Sequence, residues 1–66
     1  MQVNPRKVKI FKIRNRKGYG CACLNHLTEG KTPSQAYRRM AKALKRSKAA
    51  LKELDARSIK RLITNL

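Results

Sequence analysis

The chain has 66 residues, of which 18 are Lys or Arg and only three are Asp or Glu, so its formal net charge is +15. The length excludes a second domain, and an apolar content of 41% excludes a disordered basic tail. We therefore predict one small basic domain over residues 1–66. Because a large net charge disfavours the compact state, we expect a polyanionic partner to compensate it.

Membrane and secretory segments are not predicted. No stretch approaches the roughly 18 apolar residues that a membrane span needs. The first seven residues hold no apolar run of the kind found in a signal peptide. These features predict a cytoplasmic protein without membrane contacts.

A β-hairpin is predicted over residues 7–24. Residues 7–14 alternate apolar and charged side chains, which is typical of a strand. The alternation changes phase between Ile10 and Phe11, so we expect either a β-bulge there or cover on both faces, as in a homodimer. Gly18 ends the turn. In the second strand, 19–24, the small residues on one face would let a helix lie close to the sheet.

The clearest local signal is a helix start at residues 32–35. Thr32 is the predicted N-cap, Pro33 occupies the first helical position and Gln35 completes a capping box. The helix is predicted over about 33–53. Its apolar stripe contains Tyr37, Met40, Ala41, Leu44 and Leu51. Lys48 falls inside this stripe, so either its side chain reaches out to solvent or the helix bends or breaks near Ser47.

A short terminal helix is predicted over about 56–65, with Asp55 as its cap. Its apolar face repeats at helical spacing and contains Ile59, Leu62, Ile63 and Leu66. The predicted fold class is α+β, with a hairpin packed on a long helix and a short C-terminal helix (ββαα). We also consider a variant of this fold with a short third strand before the long helix. More faintly, residues 47–62 suggest a helix-turn-helix.

Cationic side chains cluster on two of these elements. On the long helix they fall within one arc of about 140°, opposite the apolar stripe. This arc contains Arg38, Arg39, Lys42, Lys45, Arg46 and Lys52. The hairpin contributes Lys7, Lys9, Lys12, Arg14, Arg16 and Lys17. Each cluster has an ordinary alternative explanation. The helix arc would be a solvated face, although such faces usually mix signs of charge, and the hairpin lysines would protect an edge strand from aggregation. The near absence of acids on the helix favours contact with phosphates.

Catalytic and metal chemistry find less support. Cys21, Cys23 and His26 provide three of the four ligands that zinc takes, so only a site shared between subunits would be complete. We expect instead two free thiols facing the core, and no cofactor. No orienting group accompanies Cys23 and His26 as a nucleophile pair. We predict that the chain is not an enzyme, with a metal-independent ribonuclease using His26 as the alternative.

Two families share the order strand, hairpin, strand and capped helix. Gly18-Tyr19-Gly20 followed by Thr28-Glu29-Gly30-Lys31-Thr32-Pro33-Ser34-Gln35-Ala36 looks like the N-terminal module of HicB-type antitoxins. There, a Gly-Tyr strand leads through a short third strand into a capped helix. The resemblance covers roughly 30 residues and implies a protein-neutralising role. The order of elements is similar to the arm-type DNA-binding domain of tyrosine integrases, which implies a sheet that docks in a groove, backed by a helix.

Two functions follow as hypotheses. The first is a small nucleic-acid-binding protein, a prokaryotic or phage regulator or accessory factor, that contacts phosphates through the helix arc and hairpin tip. The second is a protein-binding inhibitor, antitoxin-like or anti-defence, that docks on an acidic partner. The sequence leaves the choice between DNA and RNA open.

Overall fold

Two layers form the molecule: a three-stranded antiparallel sheet and a helix that crosses it. The computed structural model describes residues 2–15 and 17–63. In chain order the elements are β1 (Gln2–Val3), β2 (Lys9–Lys12), β3 (Tyr19–Cys23), β4 (His26–Gly30), α1 (Pro33–Arg46), β5 (Ala50–Leu51) and α2 (Ala56–Lys60). The sheet order is β2-β3-β4, and β1 pairs separately with β5 in parallel. The predicted α+β class and the third strand are confirmed.

The inner face of the sheet carries the core. Ile10, Cys21 and Thr28 lie directly opposite one another across the three strands, and α1 packs over them. The Thr28 hydroxyl donates to the Ala36 carbonyl on α1 at 3.0 Å. The buried core residues are Val3, Val8, Ile10, Cys21, Cys23, Ala36, Tyr37, Met40, Leu44, Ala49 and Ile59. The expectation that α1 would lie on the face of Gly20 and Ala22 is therefore wrong, because α1 covers the cysteine face.

The outer face of the sheet explains the change of phase at Ile10 and Phe11. The β2–β3 register runs without interruption, so no bulge corrects the pattern. Phe11 instead lies on the outer face, directly opposite Gly20. A Cβ on Gly20 would meet the Phe11 ring at 2.4 Å. The ring therefore lies over the glycine and covers the hydrogen-bonded backbone that a side chain would otherwise protect.

The start of α1 follows its capping signal. The Thr32 hydroxyl accepts from the Gln35 backbone N–H at 3.0 Å, and Pro33 is the first helical residue. The Gln35 side chain accepts in turn from the Lys31 backbone N–H at 2.7 Å. The first bond is the predicted cap, whereas the second goes to the residue before Thr32 rather than to the Thr32 N–H that a capping box would bind.

The end of α1 departs from the prediction, since the helix stops at Arg46 rather than near residue 53. Lys48 has a φ of 61°. Its N–H donates to the Lys45 carbonyl at 3.0 Å, and the Ala49 N–H donates to the Leu44 carbonyl at 2.9 Å. This pair of bonds is a Schellman C-cap, which usually places glycine where Lys48 stands. The usual glycine is missing, but Lys48 inside the apolar stripe had indicated the alternative observed here, a break near Ser47.

The chain after α1 returns to the core as an extended segment. β5 pairs with β1, so that Val3 lies opposite Leu51. Leu51 still packs against the core, although from a strand rather than from the predicted helical stripe. Residues 47–54 therefore cannot supply the first helix of a helix-turn-helix. Among the described residues, no helix combines the length and apolar character needed to cross a bilayer.

The terminal helix is shorter than predicted. α2 covers Ala56–Lys60, and the Asp55 carboxylate accepts from the Ser58 N–H at 2.8 Å, as expected of its cap. That bond lowers the pKa of the exposed Asp55. Ile59 is buried, with Leu62 and Ile63 partly buried against the same core. Leu66, the last residue of the predicted apolar face, lies outside the described residues.

Leu24 provides a test of backbone strain. It lies with Asn25 in the two-residue turn between β3 and β4, has a φ of 55° and is 57% exposed. Left-handed geometry costs an ordinary L-residue about 1–2 kcal/mol, whereas asparagine tolerates it. We expect Leu24→Asn to raise the free energy of unfolding by about 0.5–1 kcal/mol in urea denaturation.

The control for this substitution is Leu27→Asn. Leu27 is 65% exposed and belongs to β4, where asparagine is disfavoured. It should leave the stability unchanged or lower it. Equal losses in the two variants would show that the Leu24 backbone stores no strain.

Candidate nucleic-acid interface

Every predicted contact residue that the structure describes is exposed to solvent. These residues are Lys7, Lys9, Lys12, Arg14, Lys17, Arg38, Arg39, Lys42, Lys45, Arg46 and Lys52. Arg16, the remaining predicted contact, lies outside the described residues. Within residues 2–15 and 17–63, no polar or charged residue is buried. The described cations are thus available to a partner rather than consumed in the core.

The outward face of α1 is the most concentrated basic surface. Five cations occupy its 14 residues, and its sequence contains no acid. The buried residues Tyr37, Met40 and Leu44 define the opposite face. Arg38–Lys42 and Lys42–Arg46 are spaced i, i+4, where like charges repel by a few tenths of a kcal/mol per pair. We call Arg38, Arg39, Lys42, Lys45 and Arg46 the α1 basic face.

The helix dipole accounts for only part of this charge. Lys45 and Arg46 lie in the last turn of α1, where a cation gains about 0.3–1 kcal/mol from the dipole. Arg38 and Arg39 lie in the first half of the helix, where that gain does not apply. These two positions therefore lack an explanation in helix stability.

Lys52 does not belong to the α1 basic face, contrary to the prediction. It follows β5, beyond the end of the helix. Its backbone carbonyl accepts the hydrogen bond of the buried Tyr37 hydroxyl. This bond fixes the main chain at Lys52 while the side chain remains exposed. Sequence reasoning misplaced the residue because it extended the helix past the Schellman cap.

The cations of the hairpin divide between different parts of the surface. Lys9 lies on the outer face of the sheet, opposite Ala22, with the sheet between it and α1. Lys7 belongs to the 3-10 turn at Pro5–Lys7, which precedes β2. Lys12, opposite Tyr19 at the other end of β2, lies toward the hairpin tip. One flat nucleic-acid surface therefore cannot contact all the predicted residues at once.

The hairpin tip and α1 meet at a cleft of about 380 Å³. Lys17 from the tip and Arg39 from α1 both line it, together with Gly18 and Gly30. The third cation of the cleft is Lys31, which sequence reasoning did not select. Its position beside the helix cap, between two cationic elements, was the available signal. We call this feature the tip cleft.

Arg39 is held at the wall of the tip cleft. Its Nη1 donates to the Glu29 backbone carbonyl at 2.9 Å. That bond uses one of the five N–H donors of the guanidinium group. The contact orients a long side chain beside the edge strand β4, so less conformational entropy remains to be lost when the cleft binds a ligand.

The cysteine and histidine side chains do not form a metal-binding group. Cys21 and Cys23 are free thiols buried under α1. The Nε2 atom of His26 lies 3.4 Å from the Ser47 hydroxyl oxygen. Among the described residues, no three His, Cys, Asp or Glu side chains come together as metal ligands would. His26 is at the far end of β4 from Gly30 and hence from the tip cleft.

The thiols should make stability sensitive to alkaline pH. Burial, and secondarily the neighbouring Cys23, raises the pKa of Cys21 from 9.0 to about 11. Because the folded state keeps the thiol neutral, its stabilising contribution is complete below pH 9 and is lost as the pH rises to about 11. We expect the free energy of unfolding, measured in urea, to fall across this window.

The Cys21→Ala variant isolates the thiol. Its free energy of unfolding should fall less steeply between pH 9 and pH 10 than that of the native chain. Burial, with a smaller contribution from Cys21 itself, raises the pKa of Tyr37 to about 12, so both proteins should still lose stability at higher pH. The same pH dependence in both proteins throughout would contradict the assignment to Cys21.

Comparisons with protein-family models, with curated proteins and with solved structures gave no match to this chain. The α1 basic face and the tip cleft are therefore the features that bear on function.

Proposed function

We propose that the chain is a small nucleic-acid-binding protein, a regulator or accessory factor rather than an enzyme. It would contact the phosphate backbone through the α1 basic face and the hairpin tip. One observation carries the proposal: α1 presents five exposed cations and no acid opposite its buried face, despite the repulsion between them. A phosphate backbone is the partner that turns such a repulsive surface into a favourable one.

The tip cleft adds support, because it brings Lys17 of the hairpin next to Arg39 of α1. The α1 basic face and the hairpin tip can thus contact one strand in succession. Lys9, on the outer face, would contribute only through long-range attraction in this mode.

The test is a salt titration of binding to matched DNA duplex, RNA duplex and single strands, followed by fluorescence anisotropy. Contact with about six phosphates predicts a log–log slope near −5 on duplex DNA. The preferred substrate would distinguish DNA from RNA. Absence of binding to all three at about 50 mM salt would overturn the proposal.

A protein-binding role is the second candidate, and the exposed apolar residues at one end of the sheet favour it. Leu24 is 57% and Leu27 65% exposed, and neither is needed for phosphate contact. In this mode the molecule would act as an inhibitor, antitoxin-like or anti-defence, with its cations against an acidic partner. Capture of one stoichiometric protein from nuclease-treated lysate, lost on Leu27→Asn although that variant keeps its affinity for nucleic acid, would favour this role over the first.

A further inference from the structure

We propose that the tip cleft is a binding site for one nucleotide of a nucleic-acid strand, with the phosphate held by Lys17, Lys31 and Arg39. This inference rests on the proposed function and deepens it. It assigns a particular site, and a role for Lys31, to a surface otherwise described only by its charge.

The three cations reach the cleft from three separate elements. Lys17 comes from the β2–β3 turn, Lys31 from the junction between β4 and α1, and Arg39 from the second turn of α1. Cations spaced along one helix share a face through helical periodicity alone. Convergence of three from distant positions needs the tertiary fold, and it creates a local positive potential that attracts an anion.

Only one acid, Glu29, lines the tip cleft. It lies opposite Gly20 in the register, on the ladder that includes Phe11. Side chains alternate across a strand, so this position faces the outer side of the sheet, away from α1. The backbone carbonyl of Glu29 faces the cleft, where it binds Arg39. The cleft therefore keeps a cationic excess.

The helix N-terminus does not supply the binding groups. The Gln35 N–H is bonded to the Thr32 hydroxyl, and the Lys31 N–H to the Gln35 side chain. Pro33 has no N–H to offer. Recognition of the anion would fall to the side chains of the three cations, and so it should be sensitive to their replacement.

The cleft is larger than a phosphate group requires. Its volume of about 380 Å³ is in the range of small-molecule sites, about 300–1,000 Å³. Ile13 contributes an apolar wall. A sugar against this wall, with its phosphate between the cations, matches the distribution of apolar and charged groups.

The experiment follows backbone amide shifts by NMR while a 5′-phosphorylated thymidine trinucleotide is added at low salt. Shifts should concentrate at Gly18, Gly30 and their neighbours and should saturate. In the double variant Lys17→Gln, Lys31→Gln, the trinucleotide should bind about tenfold more weakly. The matched control is Arg57→Gln, Lys60→Gln on α2, which removes the same charge from exposed positions and should change affinity by less than about twofold.

Three results would overturn the inference: absence of trinucleotide binding, shifts elsewhere than the cleft, or equal affinities of the two double variants. A DNA duplex tested alongside distinguishes failure of the nucleotide site from failure of the proposed function. If the duplex binds while the trinucleotide misses the cleft, only the nucleotide site is wrong. If the trinucleotide saturates the cleft while the duplex does not bind, the site stands and the preferred partner is a single strand. The proposed function itself fails only if duplex DNA, duplex RNA and single strands all fail to bind.

Discussion

Replacing Gly30 with alanine is expected to lower the free energy of unfolding by about 3 kcal/mol, the upper end of the cost of overpacking. A Cβ on Gly30 would lie 2.6 Å from the backbone nitrogen of Ala36 and 2.9 Å from the carbonyl carbon of Gln35. Both atoms belong to α1, so the helix itself would have to move. A domain of this size has a total stability of roughly 3–10 kcal/mol, so a large share of it would be lost.

Moving α1 away from β4 would also disturb the contacts that fix the helix. The Thr28 hydroxyl donates to the Ala36 carbonyl, and Ala36 is fully buried at the crossing. Alanine has fewer backbone conformations than glycine in the unfolded chain, so the substitution also stabilises the native state by about 0.4–1 kcal/mol. This gain offsets only part of the loss. The net effect should therefore be strongly destabilising.

Gly20→Ala is the matched comparison, because its new Cβ would meet an even closer atom, at 2.4 Å. That atom belongs to the Phe11 ring, which lies on the outer face and can rotate toward solvent. We expect a loss of about 1 kcal/mol, the lower end of the cost of overpacking. The order of the two losses, measured by urea denaturation, is the test. A larger loss for Gly20→Ala would show that α1 yields more easily than its contacts indicate.

The second large effect is expected from Lys42→Gln combined with Arg46→Gln on the α1 basic face. Removing two phosphate contacts should reduce the salt slope on duplex DNA by about 1.8, and so weaken binding most at low salt. The same variant should change stability by less than about 1 kcal/mol, because relief of the repulsion between these neighbours is offset by loss of the favourable interaction of Arg46 with the helix dipole. Affinity should thus fall with little change in stability.

The α2 variant Arg57→Gln, Lys60→Gln again removes an equal charge. It should keep nearly the native salt slope, since α2 lies outside the proposed surface. Anisotropy titrations at several salt concentrations measure the slope, and thermal melts verify that each variant is folded. Equal slopes for the two variants would indicate diffuse attraction to the net charge rather than contact through α1.

Local sequence signals predicted the elements well where the responsible interactions are also local. The start of α1 depends on Thr32, Pro33 and Gln35, which act within one turn of helix. The caps at Thr32 and Asp55 are confirmed by their hydrogen bonds. The burial of Tyr37, Met40 and Leu44 followed from helical spacing alone.

The errors arose where distant parts of the chain compete for a segment. Residues 47–52 have the composition of a helix, but the Schellman cap at Lys48 and the pairing of β5 with β1 hold them in another conformation. That pairing joins residues nearly 50 positions apart, so no local pattern could reveal it. Lys52 was placed on the helix for this reason.

The candidate site shows the same division. The sequence by itself determined the excess of cations and their segregation from the apolar stripe of α1, because helical periodicity sets which side chains share a face. Only the tertiary structure decided which cations are neighbours in space. It placed Lys9 across the sheet from α1, and it brought Lys17, Lys31 and Arg39 to one cleft. Packing of the hairpin against α1 creates that proximity, and packing depends on contacts between residues far apart in the chain.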